Sequence, residues 1–200
     1  YMGIKASAKE LWGSDSLSGK SVAVQGIGNV GEHLVRLLRD EDARVYISDL
    51  DDDRLTAVAR KHDAIIVPNN HIYDLDVDIY SPCALGATVN NETLKRLKCA
   101  IIAGSANNQL QDEEVHGQLL MDMGILYAPD FLINAGGLIS VYSEISGGGK
   151  KRALQQAENI YKVTLDIFRK SKRESITPHQ AALKIAEKRI ADIRSLKASS

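Results

Sequence analysis

The sequence predicts an α/β domain: a doubly wound parallel sheet followed by a helical C-terminal appendage. Three observations carry that expectation. From Ser21 to Pro129, short apolar runs alternate with amphipathic stretches, as they do when strands are buried on both faces and separated by helices. A glycine motif, Gly26-Ile27-Gly28-Asn29-Val30-Gly31, sits at the first strand-to-helix junction. After Pro129 the pattern changes to helices only, which marks the appendage.

The elements follow in order. "YMGIKASAKELWG" starts abruptly in a helical pattern and reads as the middle of something longer. "SVAVQ" (21–25) is a buried strand, and Asn29–Arg39 a helix with Val30, Leu34, Val35 and Leu38 on one face. "ARVYISD" (43–49) is the second strand and Arg54–Lys61 a short helix. "AIIVP" (64–68) and "VDIYSP" (77–82) are strands three and four, and Asn91–Leu97 is expected to be helical. "CAIIAGS" (99–105) is strand five, Asp112–Met123 a helix and "GILYAP" (124–129) strand six. Two long amphipathic helices follow the Gly-rich "SGGGK" (146–150). One carries Leu154, Ala157, Ile160, Tyr161, Leu165 and Phe168, the other Leu183, Ala186, Ile190 and Ile193. "TPHQ" (177–180) marks the start of the second, with Thr177 as N-cap, Pro178 at the first helical position and Gln180 completing a capping box.

Composition narrows the functional classes. At 200 residues, 44% hydrophobic and 26% charged, the chain can bury a substantial core. A formal net charge of −1, with no basic tail, argues against nucleic acid and anionic membranes as partners. Nothing in these residues resembles an 18-residue apolar span or a signal peptide, so neither a membrane span nor export by that route is expected. The two cysteines, Cys83 and Cys99, have no metal-binding spacing and fit free thiols in a cytoplasmic protein, and the five histidines are scattered. No metal site is expected.

The glycine motif carries the first chemistry. Gly26 permits a tight turn, Gly28 lets the backbone approach a pyrophosphate, and Gly31 lets the helix pack closely on the strand. Ile27, Asn29 and Val30 complete a loop whose N–H groups and helix dipole favour an anion. Alone the motif is weak. Asp49, however, ends the second strand 18 residues after Gly31, where a carboxylate accepts from both adenosine ribose hydroxyls, with Leu50 beside it. This is a Rossmann-type signature. Asp49, backed by Asp51, Asp52 and Asp53, repels a 2′-phosphate, so NAD is favoured over NADP; only Arg54 softens this. The bland alternative is that Asp49 merely starts a turn.

Three further stretches each follow the end of a predicted strand: "SPCALGATVN" (81–90), "AGSANNQL" (103–110) and "YAPDFLINAGGLISV" (127–141). Together with "VQGIGNVG" they resemble the cofactor domain of the glutamate/leucine/phenylalanine/valine dehydrogenase family, most nearly its leucine and valine members. The resemblance covers almost the whole chain, with four motifs in order and spacing.

The resemblance implies roles by position. Cys83, Ala84 and Leu85 line the nicotinamide ribose side. Ala106 and Asn107 follow strand five, with Asn107 reaching the cofactor or the substrate amino acid. Asn134 opens the Asn-Ala-Gly-Gly turn, its amide available to the nicotinamide carboxamide or the substrate region. Equally, Cys83 fits a small buried hydrophobe, and Asn107, Asn108 and Asn134 fit plain caps and turns. Leu138 and Val141 are placed against the substrate side chain; two aliphatic residues there disfavour an acidic substrate, though both also fit plain core.

The resemblance further implies reversible oxidative deamination of a branched-chain L-amino acid to a 2-oxo acid and ammonia. The lysines and acidic partner for proton transfer belong to an N-terminal domain outside these residues. Lys150 of "GGGK" lies on the wrong side of the dinucleotide motif to be the catalytic base. The chain therefore divides into a linking helix (1–15), a dinucleotide-binding domain (16–145) and C-terminal helices (146–200). On this reading it contains no catalytic residue and is inactive alone, and the full-length enzyme is a homo-oligomer. The alternatives are a stand-alone NAD-binding sensing module or a phenylalanine dehydrogenase cofactor domain.

Overall fold

The computed structural model describes residues 1–198. Six strands form one sheet in the order β3-β2-β1-β4-β5-β6. They are β1 (Ser21–Gln25), β2 (Arg44–Ser48), β3 (Ile65–Ile66), β4 (Ile79–Pro82), β5 (Ile101–Ile102) and β6 (Leu126–Tyr127). All five pairings are parallel. The doubly wound Rossmann-type expectation therefore holds. Strand order reverses between β1 and β4, and a ligand crevice opens outside the carboxyl ends at such a point. In register, Gln25 faces Ser48 on one side and Pro82 on the other, so three strands release their loops at one level.

Alternation along the strands builds two cores. Val22, Val24, Val45, Ile47, Ile79 and Ile101 face one layer, while Ala23, Tyr80, Ile102 and Tyr127 face the other. The first layer is closed by α1 (Met2–Trp12), α2 (Asn29–Arg39), α3 (Asp52–His62) and α7 (Gly149–Glu174), through Ile4, Leu34, Leu38, Leu55 and Phe168. The second is closed by a 3-10 helix (Asn69–Asp74) and α4 (Glu113–Asp122), through Ile72 and Leu120. The short α5 (Asp130–Ile133) leads to α6 (Gly136–Ile145), and α8 (Pro178–Ala198) packs on α7. The last two residues of the expected 146–200 segment lie outside the described residues. No helix among the described residues is long and apolar enough to cross a membrane.

The capping box forms as expected: Gln180 N–H donates to Thr177 Oγ1 and Thr177 N–H to Gln180 Oε1, both at 3.2 Å. Four expectations need correction. The expected helix over 91–97 is absent: residues 91–96 are a run of turns and Leu97 is irregular. Asn90 Oδ1 takes the N–H groups of Glu92 and Thr93, and Thr93 Oγ1 donates to the Thr88 carbonyl. The Asn90 bonds take N–H groups that any helix start leaves free, so they cap this segment; past them Arg96 and Leu97 N–H both turn to the Thr93 carbonyl, and the segment ends after little more than one turn. Strand three is an edge strand with Ile65 and Ile66 exposed, not a fully buried one. On α8 the expected Leu183/Ala186/Ile190/Ile193 face is exposed; Ala181, Ala182 and Ile185 pack instead, because only the first turns of the helix meet α7. Val30 and Leu154 also leave their apolar faces for solvent.

Candidate functional site

The site is built from the loops that leave β1, β2, β4, β5 and β6. After β1, Gly26 takes φ +90, a left-handed value that favours glycine. A Cβ there would lie 2.6 Å from Ala84 N, and one on Gly31 would lie 2.1 Å from the Gly26 carbonyl oxygen. Neither position has room for a side chain. Gly28 is the opposite case: a Cβ there would meet nothing within 4 Å. It is also the N-cap of α2, and no side chain caps that helix, whereas Asp51 caps α3 and Asp112 caps α4. The first-turn N–H groups of α2 thus end at open space with the positive end of the dipole behind them. Packing dictates two of the glycines, and the third faces a space the protein does not fill. That geometry fits a pyrophosphate.

Asp49, at the end of β2, points back to this loop. Ile27 N–H donates to its Oδ2 at 2.7 Å and Asp51 N–H to its Oδ1 at 3.0 Å. Partial burial pulls its pKa up, but N–H donors from Ile27, Asp51 and Leu50 outweigh that and hold the carboxyl below its ordinary value. It is an anion at neutral pH, with lone pairs left for hydroxyl donors. Asp49 therefore does more than start a turn. Arg54, the residue expected to soften the acidic cluster, pairs with Asp51 at 3.5 Å. Leu50, beside Asp49, is exposed.

Cys83 and Ala84 close the other side. Cys83 N–H donates to the Gln25 carbonyl at 2.7 Å, continuing the β1–β4 ladder past Pro82. Leu85 is 98% exposed. Ala106 N–H donates to the Pro82 carbonyl at 3.0 Å, bringing the β5 loop against the β4 loop. Asn107 and Asn134 meet: Asn134 Nδ2 donates to Asn107 Oδ1. Asn134 is also the C-cap of α5, so its turn role and its side-chain contact coexist. Leu138 and Val141 lie on α6 at 74% and 54% exposure, so they are not plain core. Lys150 is exposed in the first turn of α7.

Sequence reasoning missed several supporting residues. Gly104 has no space for a side chain, since its Cβ would lie 2.1 Å from the Pro82 carbonyl oxygen. Beneath the glycine turn, buried Gln25 donates Nε2 to Tyr73 OH at 2.8 Å, and Tyr80 OH donates to Gln25 Oε1. Burial pushes the Tyr80 pKa well up, which keeps the phenol a donor. The only hint was a polar residue closing an apolar strand. Gln109 and Asp130, both buried, tie the β5 and β6 loops together.

Comparison with known proteins decides the family. The sequence profile of the glutamate/leucine/phenylalanine/valine dehydrogenases matches residues 46–197. The chain belongs to this family. It is 46% identical over 194 residues to leucine dehydrogenase of Bacillus cereus, covering 97% of this chain and 53% of that protein. It is 47% identical over 190 residues to L-tryptophan dehydrogenase of Nostoc punctiforme, covering 95% and 54%. The crystal structure of an L-tryptophan dehydrogenase from Nostoc punctiforme superposes with a TM-score of 0.93 at 46% identity, covering 96% of this chain and 58% of that one. The chain spans about half the length of the curated relatives it matches.

Proposed function

We propose that these residues form the NAD-binding part of a cytoplasmic L-amino acid dehydrogenase that deaminates a branched-chain amino acid to its 2-oxo acid and ammonia. The observation that carries this is the open space at Gly28, at an uncapped helix N-terminus one loop away from the anionic Asp49. The α2 N-terminus and the loop N–H groups bind the pyrophosphate, while Asp49 orients the adenosine ribose and disfavours a 2′-phosphate. Cys83, Ala84, Leu85 and Ala106 shape the nicotinamide ribose side. Asn107 and Asn134 orient the carboxamide and the amino acid. Bound NAD supplies the hydride acceptor for the substrate Cα.

Leu138 and Val141, exposed beyond the Asn-Ala-Gly-Gly turn, contribute an aliphatic wall to the substrate pocket and leave an acidic side chain without partners. The lysines and acidic group that move protons belong to the part of the relatives this chain does not match, and there the substrate pocket is completed and the enzyme assembles as a homo-oligomer. A second reading, an aromatic substrate, is favoured by the 47% identity to a protein named for L-tryptophan. A stand-alone sensing module is disfavoured, since it has no use for an aliphatic face at the nicotinamide end.

Incubating the purified chain with NAD+ and L-leucine, L-valine, L-phenylalanine or L-tryptophan tests the division of labour. No NADH forms with any of them. Amino-acid-dependent NADH formation by these 200 residues would show that they carry their own proton-transfer groups.

A further inference from the structure

The segments carrying Asn107 and Asn134 leave the sheet after β5 and β6, where the last backbone link is Ala128 N–H to the Ile102 carbonyl at 3.0 Å. Beyond it, buried side chains take over. Gln109 N–H donates to Asp130 Oδ2 at 2.9 Å. Gln109 Nε2 reaches back to the carbonyls of Gly104 at 2.7 Å and Ala106 at 3.0 Å. Phe131 N–H donates to Asp130 Oδ1 at 2.6 Å. Gln109 is fully buried and Asp130 nearly so, and among the described residues no Lys or Arg pairs with this carboxylate.

The Gln109 carbonyl Oε1 has no partner among the described residues. An orphaned buried acceptor opposes folding, so what this amide contributes is its two N–H bonds. Those bonds curl residues 104–109 into a tight loop with Asn107 and left-handed Asn108 (φ +51) at its tip. Asp130 then anchors that loop to the segment that ends at Asn134. The Asn107–Asn134 contact is the outer end of this link.

We propose that Gln109 and Asp130 are positioning residues for the nicotinamide end of the cofactor, acting through the Asn107–Asn134 pair. This rests on the cofactor reading above. The adenosine end is set separately, by the glycine loop and Asp49 on β1 and β2, so the two ends are separable by experiment.

The test compares NADH, which spans both ends, with ADP-ribose, which lacks the nicotinamide. Both are titrated into the wild-type chain, Asp130→Asn and Gln109→Met, with thermal melts alongside. Wild type binds both ligands, and bound NADH shifts its nicotinamide emission. In each variant NADH affinity falls roughly tenfold and the emission shift is lost, while ADP-ribose affinity stays within about twofold. If Asp130→Asn does not fold, Gln109→Met decides, since it keeps the volume and removes only the amide bonds and the orphaned carbonyl. Unchanged NADH affinity and emission in a folded variant would overturn the proposal. So would an equal loss for both ligands, which marks a purely structural role, or a wild type whose NADH emission does not shift. A wild type that binds neither ligand would overturn the cofactor reading itself.

Discussion

A single methyl group at Gly28 separates a cofactor cradle from a structural turn. Gly28→Ala adds a Cβ that meets no atom within 4 Å, at φ −62, where alanine is unstrained. Alanine is a poorer N-cap than glycine by about 0.5–1 kcal/mol. Against that, loss of unfolded-state freedom returns about 0.4–1 kcal/mol. Stability therefore changes by less than about 0.5 kcal/mol, the difference of those two effects. Gly31→Ala is the contrast: its Cβ would stand 2.1 Å from the Gly26 carbonyl, where ordinary contact starts at 3.4 Å. Loop and helix must then move by more than an ångström, at about 1–3 kcal/mol. Urea unfolding measures both stabilities, and calorimetry with NAD+ measures binding. Gly28→Ala keeps its unfolding midpoint but loses at least about tenfold in affinity, because the methyl occupies the space of the pyrophosphate. Gly31→Ala loses both. A stable Gly28→Ala protein that binds NAD+ like wild type would refute the reasoning.

Three further outcomes are expected. Asp49→Asn weakens NAD+ binding by at least about tenfold and narrows the gap to NADP+, since it removes a charged acceptor that also holds Ile27 N–H; parallel titrations check it, and an unchanged NAD+/NADP+ ratio contradicts it. Glu174, the last residue of α7, pairs with Lys170 and Arg173 of its own helix and reaches α8 through Lys184; these donors, Lys170 foremost, hold its pKa at about 2, below the ordinary 4.5. Its contribution is complete above about pH 4.5 and is lost as pH falls towards 2, so acid unfolding followed by circular dichroism should lose that component in Glu174→Gln; identical acid profiles would rule the clasp out. Burial pushes Cys99 up to about 12, whereas Cys83 is partly exposed. A thiol reagent at pH 8 therefore modifies one cysteine in the native chain and two after denaturation, and NAD+ slows the first; equal reactivity of both thiols in the native chain is the contrary result.

What was legible in the sequence follows from how local each signal is. The bounds of β1 and α2 read directly because a glycine turn punctuates a strand and a helix of strong periodicity. The placement of Asp49 beside the glycine loop was legible because its distance from the motif is dictated by one βαβ unit. Residues 91–97 misled because an apolar spacing that buries Leu94 and Leu97 fits a helix and a run of turns alike. On α8 the periodicity showed that a stripe exists, not which residues meet α7. The Gln109–Asp130 clamp left no trace, being a contact between two polar residues 21 positions apart whose meaning lies in the loops they join.

Calorimetric titration of the chain with NAD+ and, in parallel, with NADP+ tests the cofactor assignment most directly. Saturable NAD+ binding is expected, with NADP+ at least about tenfold weaker because its 2′-phosphate would meet the Asp49 carboxylate. Equal or preferential binding of NADP+, or no binding of either, would contradict it.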